Sequence, residues 1–492
     1  MKRVIRVVGA GLWVVPLFAL VTVAGRGIAE PSTGIAQATP PPNFLLVVVD
    51  DQARNSFTRG YMPRTIRNLV DHGTRFANGL AAPPDCCPDR AGILTGQYPH
   101  NHGVFSNRPG YPALRDRGNT LPVWLDRAGY RTGMIGKFLN RYHSDRPAPG
   151  FDEWFAGTGT YFGYNVSDDG AVRHYGTRRQ DYSTDVLTRH AIEFVRGPDP
   201  FFLWLGYNAP HIANRRYGHN RGRGGPCRGR MPAPPTTALY HRFSKARLRQ
   251  SAAFNERDVS DKPRRIRSLP ALNRAQRALI RRRWRCTLAT MSVVDRDLNK
   301  IVAKLRDQGR LGNTIIAYVS DNGYFFGEHR LPNGKGFPYE EALSVPFVIR
   351  VPRGLGASPS VVDEVASNQD IAPTLLDYAN AEPCVAPDDC RQPDGHSLVP
   401  LLGGPGRWPE GRGALVEINT QARSDCACAY EGIRTRRYLY DVWSTGEKEL
   451  YDLRADPGEL QNLADSPGYR LRQRSLAERL ARLRTCSGSS CE

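Results

Sequence analysis

Phe44-Leu45-Leu46-Val47-Val48-Val49-Asp50-Asp51 decides the fold class of this chain. The apolar run leaves no position for a solvent-facing side, so it reads as a strand buried on both faces of an α/β sheet. It stops at two aspartates, and open α/β sheets place their ligands at the carboxyl ends of strands. A second run of this kind, Thr314-Ile315-Ile316-Ala317-Tyr318-Val319, ends in Ser320-Asp321-Asn322-Gly323. Ahead of it Met291, Val294, Leu298, Ile301, Val302 and Leu305 recur at helical spacing, with Gly309 as the expected stop. Val345-Pro346-Phe347-Val348-Ile349 reads as a further strand, its proline at a strand start or a sheet edge.

Asp50-Asp51 and Asp321-Asn322 each bring two oxygen-bearing side chains to a strand end. Converged, they suit one hard cation, and oxygen-only ligation favours calcium or magnesium over zinc or copper. Each pair taken alone is equally a turn or a helix cap, where Asp and Asn are common.

At 492 residues the chain can hold one large core and a smaller domain. Hydrophobic residues at 40% and charged residues at 24% mark it as globular rather than disordered. A formal net charge of +20 suits an anionic substrate or surface, or is a plain arginine-rich background. Paired zinc-finger cysteines and the glycine/aromatic RNA-binding signature are both missing, so nucleic acid is not an expected partner. Lys2, Arg3 and Arg6 precede a mostly apolar stretch from Val7 to Ala24, broken by Pro16. With Ala36-Gln37-Ala38 behind it, this reads as a signal peptide over residues 1–38, Gly27-Ile28-Ala29 being a shorter cleavage option. A retained anchor is the alternative, since the run approaches bilayer-spanning length. No later segment is apolar enough to span a membrane, so the expected location is secreted or extracytoplasmic.

Besides Cys86 and Cys87 the chain has Cys227, Cys286, Cys384, Cys390, Cys426, Cys428, Cys486 and Cys491, an even number that favours disulfides after export. Cys384 with Cys390 and Cys486 with Cys491 would close short loops, and Cys227 with Cys286 a long one. Cys426 and Cys428 are too close for an easy mutual bond, and their partners stay open. Zinc is the competing reading, but no histidine spacing supports it. The stretch from His211 to about Arg282, with Arg215, Arg216, Arg221, Arg223, Arg228 and Arg230, predicts an irregular surface loop. It either recruits a polyanionic sugar or is solvated and disordered.

Cys86-Cys87-Pro88-Asp89-Arg90-Ala91-Gly92-Ile93-Leu94-Thr95-Gly96 carries the chemistry. Pro88 has a fixed φ and no N–H, which places Cys86 just ahead of a helix rather than inside one. Gly96 suits the position after the helix end. A reactive side chain at a helix N-terminus, with the planar cation of Arg90 nearby, suits a sulfate or phosphate oxyanion. A structural disulfide from either cysteine is the plainer alternative.

Cys-x-Pro-x-Arg followed by Leu-Thr-Gly resembles the signature of type I sulfatases, members of the alkaline-phosphatase superfamily. In that family the leading cysteine is oxidised after synthesis to formylglycine (3-oxoalanine). Cys86, not Cys87, matches it, standing two before Pro88 and four before Arg90. The resemblance runs from Phe44 to about Ala464. Gly136-Lys137 resembles the family's Gly-Lys motif and Ala209-Pro210-His211 its Ala-Pro-His motif, both of which contact the sulfate. Gly334-Lys335 before Pro338-Tyr339-Glu340 resembles the segment with a second lysine near the leaving-group oxygen. Glu449-Leu450-Tyr451-Asp452-Leu453, then Asp456-Pro457 and Glu459 to Leu463, resembles the C-terminal strand and turn. Many members carry histidine two residues after the first lysine, where this chain has Leu139. Gly136-Lys137-Phe138-Leu139-Asn140, the Cys-Cys-Pro run and Tyr98-Pro99-His100-Asn101-His102 are similar instead to the subgroup acting on N-acetylglucosamine-6-sulfate and heparan sulfate. Asn140 is the candidate for part of the missing histidine's role. Asp89 stands where serine is common in the modification motif.

The resemblance implies an alkaline-phosphatase-like three-layer sandwich around a large mixed β-sheet over residues 39–403. A smaller C-terminal α+β domain over 404–492 follows, with strands near Tyr438 to Val442 and Glu449 to Leu453 and a helix near Leu471 to Leu483. An exported sulfuric ester hydrolase is the implied activity, with Cys86, Arg90, Lys137, His211 and Lys335 catalytic. Asp50, Asp51, Asp321, Asn322 and the modified Cys86 would surround one calcium ion, magnesium being the second choice. Hydration of the aldehyde gives a geminal diol, one hydroxyl to attack and one to expel sulfate. Lys335, or a histidine, would protonate the leaving oxygen. A sulfated small molecule or saccharide is the implied substrate, and a formylglycine-generating enzyme the maturation partner. A phosphate mono- or diester hydrolase of the same superfamily and an unconverted binding protein are the competing functions.

Overall fold

The Phe44–Val49 run forms the middle of a strand, β1 (Asn43–Asp50), buried at every residue. Its side chains alternate between two cores. Phe44, Leu46 and Val48 face one and Leu45, Val47 and Val49 the other, and none is more than 1% exposed. Burial of each such side chain is worth about 1.5–3 kcal/mol.

Nine more strands complete the sheet. They are β2 (Thr74–Leu80), β3 (Arg131–Gly136), β4 (Glu153–Gly157), β5 (Tyr164–Asp168) and β6 (Ala171–Tyr175), then β7 (Phe201–Pro210), β8 (Thr314–Ser320), β9 (Phe347–Arg350) and β10 (Ser360–Ser367). Their order is β10-β2-β9-β8-β1-β7-β3-β4-β5-β6. β9 is antiparallel to both neighbours, as are the pairs β4–β5 and β5–β6. β8, β1, β7, β3 and β4 run parallel side by side. The sheet is therefore mixed, with a parallel centre whose carboxyl ends share one edge.

Helices cover both faces. Cys86–Thr95, Leu121–Arg127 and Ile371–Ala379 pack on the Phe44 side, through residues such as Leu94, Trp124 and Leu375. Ser183–Phe194 and Arg274–Asp307 pack on the Leu45 side, through residues such as Leu187 and Leu298. The second of these is far longer than its predicted core. Its first turns are rich in arginine, and up to Cys286 only Ile280, Arg283, Trp284 and Cys286 are buried, so hydrophobic spacing marks only the part after them. It ends at Asp307, and Gly309 follows at φ +70°. β9 starts after Pro346, consistent with a proline at a strand start, and lies inside the sheet rather than at its edge.

After a short hairpin, β11 (Cys384–Ala386) with β12 (Asp389–Cys390), a second sheet follows. It is antiparallel and consists of β13 (Gly413–Ile418), β14 (Tyr430–Thr435), β15 (Tyr438–Trp443) and β16 (Lys448–Asp452). A helix at Arg470–Leu483, expected near Leu471 to Leu483, buries Leu476, Leu480 and Leu483 on one face against it. Residues Pro40–Glu492 form one compact unit.

This computed structural model describes residues 40–142, 146–157, 159–213, 225–404, 406–408, 411–418 and 429–491, with Gly9 and Gly11. The leader, Cys426, Cys428, Arg215, Arg216, Arg221 and Arg223 lie outside them. Cys227–Cys286, Cys384–Cys390 and Cys486–Cys491 are bonded as expected, and Cys86 and Cys87 are free thiols. The described part of the 211–282 stretch is more ordered than its composition suggests. Short helices form at Thr237–Arg242 and Arg264–Arg267, and Met231, Phe243, Val259 and Ile266 are buried, because scattered apolar residues are enough to pin an irregular path. No described helix is long and apolar enough to cross a membrane.

Candidate active site

Four neighbouring strands deliver side chains to one place. Asp50 ends β1 and Asp51 follows it in the left-handed region at φ +68°, while Asp321 and Asn322 follow β8. His211 follows β7 and Lys137 follows β3. This is the crevice at the carboxyl ends of parallel strands where α/β sheets bind ligands. Lys137 can approach because Gly136, at φ +107°, has no side chain: a Cβ there would stand 2.0 Å from the Gly206 carbonyl oxygen.

The Cys86–Thr95 helix supplies the other half. Cys86 is its first residue, not one just outside it, because a proline in the first turn removes an N–H that has no intrahelical partner anyway. Asp85 caps the helix by accepting from the Cys86 N–H at 3.1 Å. Gly96 ends it at φ +69°. Arg90 is wholly buried, with Nε 2.7 Å from Asp321 Oδ2 and Nη1 2.7 Å from the Lys137 carbonyl oxygen.

All nine predicted residues converge. Ligand atoms of Asp50, Asp51, Cys86 and Asp321 lie within 4.8 Å of one another. Asn322 Nδ2 donates to Asp51 Oδ1 at 2.7 Å, while its buried Oδ1 has no hydrogen-bond partner among the described residues. An orphaned carboxamide oxygen beside three carboxylates is the donor set a hard cation requires. Lys137 Nζ lies 2.6 Å from Asp50 Oδ2, Lys335 Nζ contacts Asp51 Oδ1 and Cys86 Sγ, and His211 Nε2 is 3.8 Å from Asp51 Oδ2.

The electrostatics follow from that packing. Burial pushes the Asp50 carboxyl up, but Lys137, His211 and Lys335 outweigh it and hold it at about 2. Burial likewise acts against Asp51 and is outweighed by Lys335 and His211, so its value is lowered. Burial works to lower Lys137, yet Asp50 and the Cys86 sulfur raise it to about 12. Cys86 is pushed well above the thiol range by burial and then by Asp321. A thiol held neutral in this way is a poor nucleophile.

Beside these groups opens a cleft of about 310 Å³, lined by Asp50, Lys137, Asn140, Trp154, Asn208 and His211 among others. Composition and motif did not point to Asn208. It sits on β7, is 3% exposed, and its Nδ2 has no hydrogen-bond partner among the described residues. An amide inside the otherwise apolar stretch 201–209 was the available signal. Asn107 was also missed. It donates to Asp85 Oδ1 at 2.6 Å and accepts from the Cys87 N–H at 2.9 Å, fixing the helix start from a distant loop.

Comparison with known proteins identifies the family. The family profile described as Sulfatase matches residues 42–381, and that of the N-sulphoglucosamine sulphohydrolase C-terminal region matches 327–486. An extracellular sulfatase homologue of Drosophila melanogaster is 32% identical over 388 residues, which are 75% of this chain but 32% of that protein. This chain therefore spans about a third of that relative's length. Human N-acetylglucosamine-6-sulfatase is 29% identical, with 93% of this chain and 87% of that protein covered. A solved structure, bound to its substrate D-glucosamine-2-N,6-O-disulfate, superposes with a TM-score of 0.71 at 25% identity, covering 90% of this chain and 97% of its own. The ten-stranded mixed sheet between two helical layers is the alkaline-phosphatase-like sandwich of these neighbours. The chain belongs to the sulfatase family.

Proposed function

We propose that this chain is an exported sulfatase that removes a sulfate ester from a glucosamine-type sugar, using formylglycine made from Cys86 and one calcium ion. The observation that carries the reading is the convergence of Asp50, Asp51, Cys86 and Asp321 within 4.8 Å, with the orphaned Asn322 Oδ1 beside them. Asp50, Asp51, Asp321 and Asn322, with an oxygen replacing the Cys86 sulfur, would hold the cation; magnesium is the second choice. Calcium, when bound, supplies a Lewis acid that polarises a sulfate oxygen and favours the ionised nucleophile. The hydrated aldehyde at residue 86 supplies one hydroxyl for attack and another for release of sulfate.

The remaining steps fall to this chain's own side chains. Arg90 is held by Asp321 and the Lys137 carbonyl, so its charge is in place before substrate arrives. Lys137, on the cleft wall, neutralises the transferring group. Lys335 stands at the nucleophile itself, against Cys86 Sγ and Asp51, and stabilises charge there. His211 faces the cleft, its Nδ1–H donating to the Ile212 carbonyl oxygen at 2.7 Å, which turns Nε2 toward the departing sugar oxygen; as the imidazolium it would give that oxygen a proton.

The test is sulfate release from N-acetylglucosamine-6-sulfate by protein co-expressed with a formylglycine-generating enzyme, with peptide mass spectrometry at residue 86. Chelation should remove the activity and calcium restore it. A fully converted protein that is idle on the sulfated sugar, or faster on aryl phosphate than on aryl sulfate, would reject the reading.

A further inference from the structure

A second group of buried side chains lies apart from the nine. His329 and Glu459 are wholly enclosed, and Glu341 lies on the short helix after the Lys335 segment. One ligand atom from each of the three lies within 4.8 Å of the other two. His329 Nε2, Glu341 Oε2 and Glu459 Oε1 all lack a hydrogen-bond partner among the described residues. The other ring nitrogen is satisfied: His329 Nδ1 is 2.7 Å from Glu256 Oε2, and Lys262 Nζ is 3.1 Å from the other oxygen of Glu256. Nδ1 therefore donates to Glu256, and Nε2 faces two carboxyl groups that Lys262 does not neutralise.

Such an arrangement is costly without a positive centre between the three atoms. Either protons fill the gap, with His329 as an imidazolium paired to Glu256 and Glu341 and Glu459 as a neutral acid, or a cation occupies the middle. The geometry favours the cation. His329 Nε2 and Glu341 Oε2 are 3.6 Å apart, close to the about 3.4 Å edge expected for two ligands at about 2.0–2.1 Å from a tetrahedral ion. A carboxylate on the far side of the imidazole, here Glu256, is the usual support of a metal-bound histidine. Glu341 is 21% exposed and lines a separate cavity of about 940 Å³, which gives an ion its entrance.

We propose that His329, Glu341 and Glu459 form a second cation site, for a transition-series divalent ion of the zinc class, with Glu256 orienting the imidazole. One imidazole and two carboxylates suit such an ion better than calcium. Its ligands flank Lys335 in the chain and reach the turn after β16. The ion would pin the segment carrying Lys335 from both sides against that turn. The site is independent of the proposed activity and stands or falls without it.

The experiment is metal analysis of the full chain after equilibration with zinc and desalting, for wild type, His329→Gln and Glu459→Gln. One tightly held zinc per wild-type chain, lost in both variants, is the expected result. Cobalt(II) loading of wild type should give the visible absorption of a four-coordinate, imidazole-ligated ion, and Asp321→Asn should keep it. Wild type that retains no zinc and gives no cobalt band overturns the proposal. Zinc retained by both variants, or a cobalt band lost in Asp321→Asn, overturns it as well. Should either variant fail to fold, the cobalt band in wild type and in Glu341→Gln decides.

Discussion

Cys86 and Cys87 are neighbours in sequence but not in surroundings. Cys86 Sγ faces Asp50 and Lys335, whereas Cys87 Sγ turns to the Asn140 carbonyl and packs in the Phe44-side core. Cys86→Ala should abolish turnover of sulfate esters, since the nucleophile is gone. Cys87→Ala should keep turnover and cost about 1 kcal/mol of stability through a small cavity. Initial rates and thermal melting of the two variants check this, and the reverse pattern would identify Cys87 as the modified residue. All nine site positions were legible because each sits in a short motif whose chemistry needs that residue type. Asp85, Asn107 and Asn208 were not. Their roles depend on what folds against them, such as the Cys86 and Cys87 backbone amides for Asp85 and Asn107, and no local pattern marks that.

Gly136 shows how an element's end sets the site. An alanine there would need both a left-handed φ and a carbonyl oxygen 2.0 Å from its Cβ, so β3 and β7 would have to part. Gly136→Ala should cost at least about 2 kcal/mol and lower kcat by displacing Lys137, read by urea unfolding and steady-state kinetics. The Pro99–His102 turn gives a pH dependence. His100 Nδ1 and Nε2 each lie 2.8 Å from an acceptor, Glu417 Oε1 and the Cys486 carbonyl oxygen. Only the doubly protonated ring satisfies both. Burial works to lower its pKa, but the bond to Glu417 and that charge prevail, raising it above the usual 6.5. The proton is thus held more tightly in the fold, so this stability is complete below about 6.5 and lost as pH climbs through the raised value. Wild type should lose melting temperature relative to His100→Gln as pH rises above about 6.5, and parallel curves would refute the assignment. Strands β1 and β8 could be read from sequence because two-sided burial forces an unbroken apolar run. The first half of the Arg274–Asp307 helix could not, since its arginines carry little hydrophobic period.

Over the whole molecule the site joins chain positions as distant as Asp50 and Lys335, and the sheet pairs β2 with β10 across a similar span. That strand order was hidden from the sequence, because hydrophobic runs reveal strands but not their partners. Long-range ties of this kind carry stability. Cys227–Cys286 closes a separation of 59 residues, worth up to about 4 kcal/mol in loop entropy. Replacing both cysteines by serine should lower unfolding free energy by about 2–4 kcal/mol, measured in urea, while leaving the nine site residues in place and the KM for substrate unchanged. The burial of Cys86, 2% exposed under strand ends drawn from both halves of the chain, sets a deadline. A maturation enzyme has to grip several residues around its target, and once β8 docks beside β1 this stretch is sealed. If Cys86 is converted as proposed, that step would belong to the interval between emergence of the Cys86 segment and arrival of Asp321. How quickly a cell can read that segment against how quickly the chain closes over it would then decide what fraction of the molecules ever become enzyme.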